Sequence, residues 1–475
     1  MKMVRRRTAI SSHSATLLLV FAFFQKHLGQ HRILGGALVL AVTQFGASLA
    51  GLIRDNVLAS TFSARGEVGV VDAYIAAFRP SDFLLQVFIL SAIGAVLVPM
   101  LAGYREKGNQ KELEHLLGGA IGTGATIFGV MALILAIFMQ RIAPFLVNFS
   151  GDQLQIYVHF ARITLLTNLL FVFGNVYGQY LITIQRYWIY GLTPIVYTSG
   201  TILGTIFLTP LYGAYGPILG TLGGTIVFVA LRLWAVRHSG AQIRIHFWHS
   251  DIAEMGILML PRMAALGAAQ LQLLFFDKFA SGLDQGSVML NAYARNFQSV
   301  IVGVAGIAVA QSAFALLSQA AARNERKRFL IYLRKGSGLL LLVTIPGAIA
   351  LSLLASIAAR LVHIMEFLPV FRTILWVYAI SIPFESLNHL LLRGFYATKH
   401  TLTPAIVMVV SGFIAIGSSW WFLPTLGVQS LGIGYAAGAV AMTILLSILL
   451  PQRLRSLEMR ALLQDDAVTV GPQTT

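Results

Sequence analysis

Charged side chains inside apolar segments are the residues of this sequence that could do chemistry. Arg79 and Asp82 stand three apart, with Pro80 between them. Arg262 and Arg295 each lie in a long apolar stretch with no acid within one helical turn. A charge at the centre of a bilayer costs about 2.5–3.5 kcal/mol, so such residues are functional candidates by default. An arginine without a neighbouring acid needs a partner from another helix or from a bound anion.

The Arg79–Asp82 pair allows two interpretations. Pro80 frees a backbone carbonyl, so an ion pair between Arg79 and Asp82 could brace a kink in their helix. Alternatively, Arg79 is a cation that faces a central cavity once its partner has moved away. For Arg262 and Arg295 we favour a binding role.

Glu385, His389 and Arg393 are spaced by four residues and so share one helix face. Glu385 is a deeply placed carboxylate in the C-terminal half, and it could carry a coupling H⁺ or Na⁺. A salt bridge from Glu385 to Arg295 or Arg262 is the alternative.

Four further charges lie where we expect the outer mouth of the protein: Arg54, Asp55 and Asp72 near the first two apolar segments, and Asp277 in the second half. Pairing among these groups could form a gate that opens and closes. We therefore predict substrate-binding roles for Arg54, Arg79, Arg262 and Arg295. Gate or ion-coupling roles are predicted for Asp55, Asp72, Asp82, Asp277, Glu385 and His389.

The composition requires lipid as the solvent for most of the chain. Hydrophobic residues make up 57% and charged residues 11% of the sequence, and the mean hydropathy is +0.77. Average soluble domains carry about 25% charged residues. The sequence therefore predicts an all-α polytopic membrane protein.

Twelve transmembrane helices are predicted from the apolar segments and the turns between them. They lie near 33–53, 72–102, 116–139, 156–183, 190–209, 213–235, 253–277, 288–319, 336–357, 371–396, 402–423 and 429–450. We divide the chain into a basic leader (1–32), a first lobe of six helices (33–236), a cytoplasmic linker (237–250), a second lobe of six helices (251–452) and a cytoplasmic tail (453–475). An additional helix within 15–24 is a less favoured alternative.

Most Lys and Arg residues fall on one side of this arrangement, including Arg5–Arg7 in the leader and the cluster Arg323–Lys335. The positive-inside rule then places both termini in the cytoplasm. The net charge of +16 follows from this distribution, so it does not indicate nucleic-acid binding.

The two lobes repeat each other. Asp55 followed by Ala59-Ser60 is echoed by Asp277 followed by Ala280-Ser281, and Asp72-Ala73-Tyr74 is echoed by Asn291-Ala292-Tyr293. Two copies of six helices have the same orientation in the membrane. We therefore predict a parallel repeat, related by a pseudo-two-fold axis along the membrane normal.

Several kinds of site have no motif in this sequence. We find no P-loop, no H-E-x-x-H and no G-x-S-x-G, and the chain has no cysteine. We therefore expect no nucleotide, no metal, no cofactor and no enzymatic activity.

Longer motifs resemble one family. Arg54-Asp55-x-x-x-Ala59-Ser60-x-Phe62, the run from Asp277 to Ala294 and the run from Gly394 to Pro404 look like the MurJ/MviN lipid II flippases. These belong to the multidrug/oligosaccharidyl-lipid/polysaccharide exporter superfamily. The resemblance implies two six-helix lobes in a V shape, with alternating access to a lipid-linked sugar pyrophosphate held between them.

The resemblance also carries departures. Arg54 and Asp72 match family positions, whereas the family's other basic positions fall on Ser48, Leu85, Gln86 and Asn296. We expect the family's two further helices, which form a groove for the lipid tail, to have no counterpart here.

The function that we predict is therefore a flippase for a polyprenyl-pyrophosphate-linked saccharide of cell-wall (peptidoglycan) synthesis. Its expected partners are the anionic lipid-linked saccharide, membrane lipids and envelope-synthesis enzymes. Two alternatives remain open at this point: a cation-coupled multidrug exporter of the same superfamily, and a non-transporting scaffold of an envelope-synthesis complex.

Overall fold

The computed structural model describes residues 32–93, 97–247 and 259–469. The predicted leader, the alternative helix within 15–24, part of the linker and the last residues of the tail lie outside the described residues. Within the described ranges the chain is built from helices and short connections.

The first half contains seven helices of eight or more residues in the described ranges. They are α1 (Arg32–Ser63), α2 (Val68–Leu84), α3 (Val98–Glu106), α4 (Gln110–Leu146), α5 (Gly151–Thr183), α6 (Tyr187–Leu203) and α7 (Gly216–Arg237). The second half contains another seven. They are α8 (Leu260–Ala280), α9 (Ser287–Ile301), α10 (Ala308–Ala322), α11 (Arg326–Leu353), α12 (Leu368–Ala397), α13 (Leu402–Leu426) and α14 (Gln429–Thr469).

Short helical pieces extend or connect these helices. Wide π-helical turns follow α2, α6 and α9, at Leu85–Leu90, Gly204–Leu208 and Val302–Ile307. Single turns occupy Thr209–Tyr212, Gly213–Tyr215, Ala355–Leu361 and Met365–Phe367. The order of elements is thus similar in the two halves, and the pseudo-two-fold axis itself stays a prediction.

Ten stretches of the described chain are long and apolar enough to cross a membrane. One of them, Tyr187–Arg237, contains both α6 and α7, which the chain connects through a turn at Gly213. Helix α8 is a further long helix, although its described residues are not among the ten. The helices are therefore compatible with the twelve predicted spans.

Helices α6 and α7 are held together by glycines, which let their backbones approach closely. A Cβ atom at Gly220 would lie 2.4 Å from the carbonyl oxygen of Gly200, so no larger residue fits there without a shift.

Arg232 is buried among the helices of the first half. Its guanidinium donates to the carbonyl oxygen of Gly174 (2.8 Å) and to Thr193 Oγ1 (2.9 Å), and it lies 4.2 Å from the ring centre of Phe228. The charge is satisfied by carbonyl, hydroxyl and ring contacts, so Arg232 joins α5, α6 and α7.

Among the described residues, one buried core cluster joins the two halves of the bundle. Phe62 and Tyr157 of the first half belong to the same buried cluster as Phe276 and Tyr293 of the second. A separate cluster around Leu317 and Phe329 belongs to the second half alone. The lobes therefore pack closely at the predicted outer end, where α1 ends and α2 begins.

Candidate functional site

A seam of polar contacts joins the two lobes near the predicted outer end. Asp72 of α2 accepts hydrogen bonds from the backbone N–H groups of Gly286 (2.6 Å) and Met289 (2.8 Å), at the start of α9. Gly286 has a φ of 92°, which favours glycine and aims these N–H groups at the carboxylate. A carboxylate at a helix N-terminus is favoured by the unpaired N–H groups and by the helix dipole. A side chain of the first lobe thus caps a helix of the second.

Arg79 forms the second contact of this seam. Its Nε donates to Asp277 Oδ2 at 2.6 Å, and the two side chains are 13% and 3% exposed. Asp82 instead accepts a hydrogen bond from Asn168 Nδ2 at 2.9 Å. The interpretation of Arg79 and Asp82 as a pair within one helix was therefore wrong, because the acid of the opposite lobe is the one that reaches Arg79.

Asp55 connects α1 to α9. Its carboxylate accepts from Arg54 (2.6 Å) and from Asn296 Nδ2 (3.0 Å), and its backbone oxygen accepts from the Tyr293 hydroxyl (2.9 Å). The predicted mouth residue Asp55 therefore contacts the second lobe through Asn296 and Tyr293, and its pairing with Asp277 is not what the structure shows. The family's arginine position at Asn296 carries an amide here, and this amide helps to hold the lobes together.

Arg295 lies on α9, about 12 Å along the helix from its first residue. It is partly exposed and within electrostatic reach of Arg79 and Asp277. In the described part of the chain, Arg295 makes no hydrogen bond or ion pair. A cation this deep in the bundle can accept an anionic ligand without first losing a protein partner.

Arg262 does not belong to this group. It is exposed, in the first turn of α8, fifteen positions and so roughly 22 Å along the helix from Asp277. Its neighbourhood includes Tyr396 at the end of α12. Arg262 therefore does not join the contact between Arg79 and Asp277, and its depth in the membrane stays a prediction, because residues 248–258 lie outside the described ranges.

Glu385 occupies a different place, inside the second lobe. It accepts hydrogen bonds from Gln298 Nε2 (2.5 Å) and the Tyr435 hydroxyl (2.9 Å), rather than a salt bridge from Arg295 or Arg262. Glu385 and His389 line a cavity of about 210 Å³ among α8, α12, α13 and α14. The hydrogen bonds of this carboxylate thus come from neutral groups, and Arg295 acts on it through electrostatics without a salt bridge.

Sequence reasoning missed the neutral partners of these charges. Asn168, Gln298 and Tyr435 each bond to a predicted acid. Asn168 and Gln298 could have been found as amides inside apolar helices, where a polar side chain needs a partner. Tyr435 gives no such signal, because tyrosine is common in apolar helices.

Two helical lobes with a charged seam between them define a two-lobe membrane transporter. A family profile described as lipid II flippase MurJ matches residues 59–472, which is most of the chain. The chain belongs to this family, and it is therefore a multi-pass inner-membrane transporter rather than an enzyme.

Individual relatives agree with the family. The chain is 24% identical over 426 residues to a probable lipid II flippase MurJ of Thermotoga maritima, covering 86% of this chain and 84% of that protein. It is 26% identical over 414 residues to a probable lipid II flippase MurJ of Rhizobium meliloti, covering 81% and 74%.

Solved structures share the fold. A lipid II flippase MurJ in an inward closed conformation matches with a TM-score of 0.74 and 20% identity, over 92% of this chain and 94% of that chain. An inward-facing MATE family transporter of the MOP superfamily matches with a TM-score of 0.69 and 14% identity, over 87% and 96%. These likenesses confirm the predicted all-helical fold.

The Arg79–Asp277 contact makes a testable prediction about stability. We expect Arg79→Gln or Asp277→Asn alone to lower stability by about 3–5 kcal/mol, because each leaves a buried charge without its partner. The double variant should recover much of that loss, since no charge is then left unpaired. Thermal unfolding of the purified protein in detergent measures the effect.

The exposed pair Glu325–Arg328 provides the matched control, with side chains 33% and 60% exposed. Arg328→Gln should cost less than about 1 kcal/mol. If the double variant at 79 and 277 is destabilised by the sum of the two single changes, the side chains do not interact.

Proposed function

We propose that this protein moves lipid II, or a closely related polyprenyl-pyrophosphate-linked saccharide, between the leaflets of the inner membrane. The family supports this substrate, and Arg295 is the observation in the structure that carries it. Arg295 is a guanidinium inside a two-lobe transporter with no hydrogen bond or ion pair to any described residue. A pyrophosphate supplies the anionic oxygens that such a group binds by charge-assisted hydrogen bonds.

The seam between the lobes supports alternating access. In this state the contacts Asp72–α9, Arg79–Asp277 and Asp55–Asn296 hold the outer end together. For the headgroup to leave outward, these contacts have to separate. Arg79 would then lose its acid and become available to the pyrophosphate, so the headgroup would pass from Arg295 to a second cation as the outer end opens.

The remaining predicted cations fit other parts of the path. Arg262 is exposed near the predicted cytoplasmic end of α8, where it can meet the headgroup on entry. Arg54 is bound to Asp55 and serves the outer gate.

We propose that both termini are cytoplasmic, which the distribution of Lys and Arg supports. Enzymes that make and consume the lipid-linked saccharide are the partners we propose, because flipping connects their reactions.

We also propose that a coupling ion, H⁺ or Na⁺, binds at Glu385. The cavity beside Glu385 is also lined by Asn388, His389 and Tyr435. Asn388 and Tyr435 can provide oxygen ligands for Na⁺, and His389 can provide a route for a proton. This site lies within one lobe, so its occupancy can alter the packing of α12 against α14 without touching the headgroup.

Arg295 gives the decisive prediction for function. We expect Arg295→Gln to slow the flipping of labelled lipid II in proteoliposomes about tenfold or more, because a charge-assisted hydrogen bond to the pyrophosphate is lost. Thermal stability should not fall, since Arg295 has no partner among the described residues. Arg141→Gln, at an exposed arginine of α4, serves as the control and should flip at the wild-type rate. An unchanged rate in the Arg295 variant removes Arg295 from the mechanism.

A disulfide across the outer end tests alternating access. The chain has no native cysteine, and a Cβ at Gly282 would lie 3.4 Å from Cβ of Asn148 in the opposite lobe. This separation is close to the 3.5–4.5 Å of a disulfide. We expect oxidised Asn148→Cys/Gly282→Cys protein to stop flipping lipid II, and reduction to restore it.

The matched control pair lies within the second lobe, where the Ala313 Cβ is 3.9 Å from a Cβ placed at Gly336. Oxidised Ala313→Cys/Gly336→Cys protein should keep its flipping rate. Full activity of the oxidised pair at 148 and 282 would rule out separation of the lobes at this end.

Ion coupling is tested with gradients. We expect either a Na⁺ or a pH gradient to accelerate flipping by the wild type and by Glu325→Gln, which changes an exposed acid. Glu385→Gln should flip at the same rate with and without the gradient, because the carboxylate that holds the ion is absent. A Glu385→Gln protein that still responds to the gradient places the ion elsewhere.

A further inference from the structure

A groove of about 720 Å³ lies at the predicted cytoplasmic end of the first lobe, between α5, α7 and the segment after α7. Its walls are mainly apolar and include Leu170, Phe173, Val229 and Leu233. This volume is in the range of sites that hold small organic molecules, roughly 300–1,000 Å³. None of these residues takes part in the polar seam between the lobes.

The third wall is the stretch of the linker that follows α7. Ala241, Ile243 and Ile245 line the groove, and Gln242 lines it beside them. This wall is therefore mainly apolar, with one polar side chain at Gln242.

Helix α4 holds this stretch in place. A Cβ at Gly118 would lie 2.0 Å from the Arg244 carbonyl oxygen, and one at Gly122 would lie 1.9 Å from that of His246. The rings of His115 and His246 stack with their centres 4.0 Å apart. The linker backbone therefore packs against Gly118 and Gly122 of α4, where a larger side chain would clash with it. This packing fixes the wall of the groove.

One end of the groove is polar and cationic. Arg237, the last residue of α7, lines it and is exposed, and its guanidinium makes no hydrogen bond or ion pair with a described residue. Tyr177 lines it too, is only 5% exposed and has no hydrogen-bond partner in the described ranges. Trp234 stands one turn before Arg237 and is 56% exposed, as is typical of aromatic side chains at the level of lipid headgroups.

We propose that this groove binds an anionic phospholipid of the cytoplasmic leaflet. One acyl chain lies along Leu170, Phe173 and Leu233, and the phosphate accepts hydrogen bonds from Arg237 and the Tyr177 hydroxyl. Charge selects the lipid: basic pockets between membrane helices on the cytoplasmic side bind acidic headgroups. The site is separate from the path proposed for lipid II and does not depend on transport.

Lipid binding to the purified full-length protein tests the site. Native mass spectrometry would follow titration with phosphatidylglycerol or with phosphatidylcholine of the same chains. We expect the wild type to prefer phosphatidylglycerol, and Arg237→Gln to bind it about tenfold more weakly, because a charge-assisted hydrogen bond is lost. Binding of phosphatidylcholine should be unchanged in this variant.

Two further variants make the result specific. Arg186→Gln removes an exposed arginine at the same end of the lobe and should bind both lipids like the wild type. Val229→Trp fills the groove and should lose both lipids while remaining monodisperse. Wild-type affinity for phosphatidylglycerol in both Arg237→Gln and Val229→Trp overturns the proposal. Tighter binding of a polyprenyl phosphate than of phosphatidylglycerol overturns the choice of lipid.

Discussion

The cost of charge in a low-dielectric environment determines how the two lobes meet. Asp72, Arg79 and Asp277 lie among apolar helices, where each would be expensive alone. Each is satisfied only by a group of the opposite lobe. The polar contacts therefore specify one register between the lobes, and the apolar core around Phe62 and Phe276 packs within that register.

The same interaction explains why Arg295 differs from the other cations. Arg79 forms an ion pair with Asp277, and Arg232 donates a hydrogen bond to the carbonyl oxygen of Gly174. Both charges are therefore already satisfied by groups of the protein. Arg295 is close enough to Arg79 for repulsion, yet it has no partner of its own among the described residues. A bound anion would relieve this repulsion, so ligand binding and the stability of the seam are coupled.

The sequence predicted the fold class and the family, because apolar length and the longer motifs can both be read from it. Charges inside apolar segments also indicated Arg79 and Asp277, which are in contact in the structure. The sequence could not assign Asp277 as the partner of Arg79, since spacing within a helix says nothing about a helix from the other lobe. The sequence did not indicate Gln298 and Tyr435 as partners of Glu385, because neither side chain is charged.

The π-helical turns at Leu85–Leu90 and Val302–Ile307 determine where two helices of the bundle can bend. Each interrupts the regular hydrogen-bond ladder shortly after the residues that join the lobes, and irregular turns of this kind are where helices bend. Helix α2, which carries Arg79, and helix α9, which carries Arg295, can therefore bend at equivalent positions of the two halves, while α3 and α10, which follow these turns, stay packed. Opening of the lobes at one face of the membrane then needs no rearrangement of the helices at the other face.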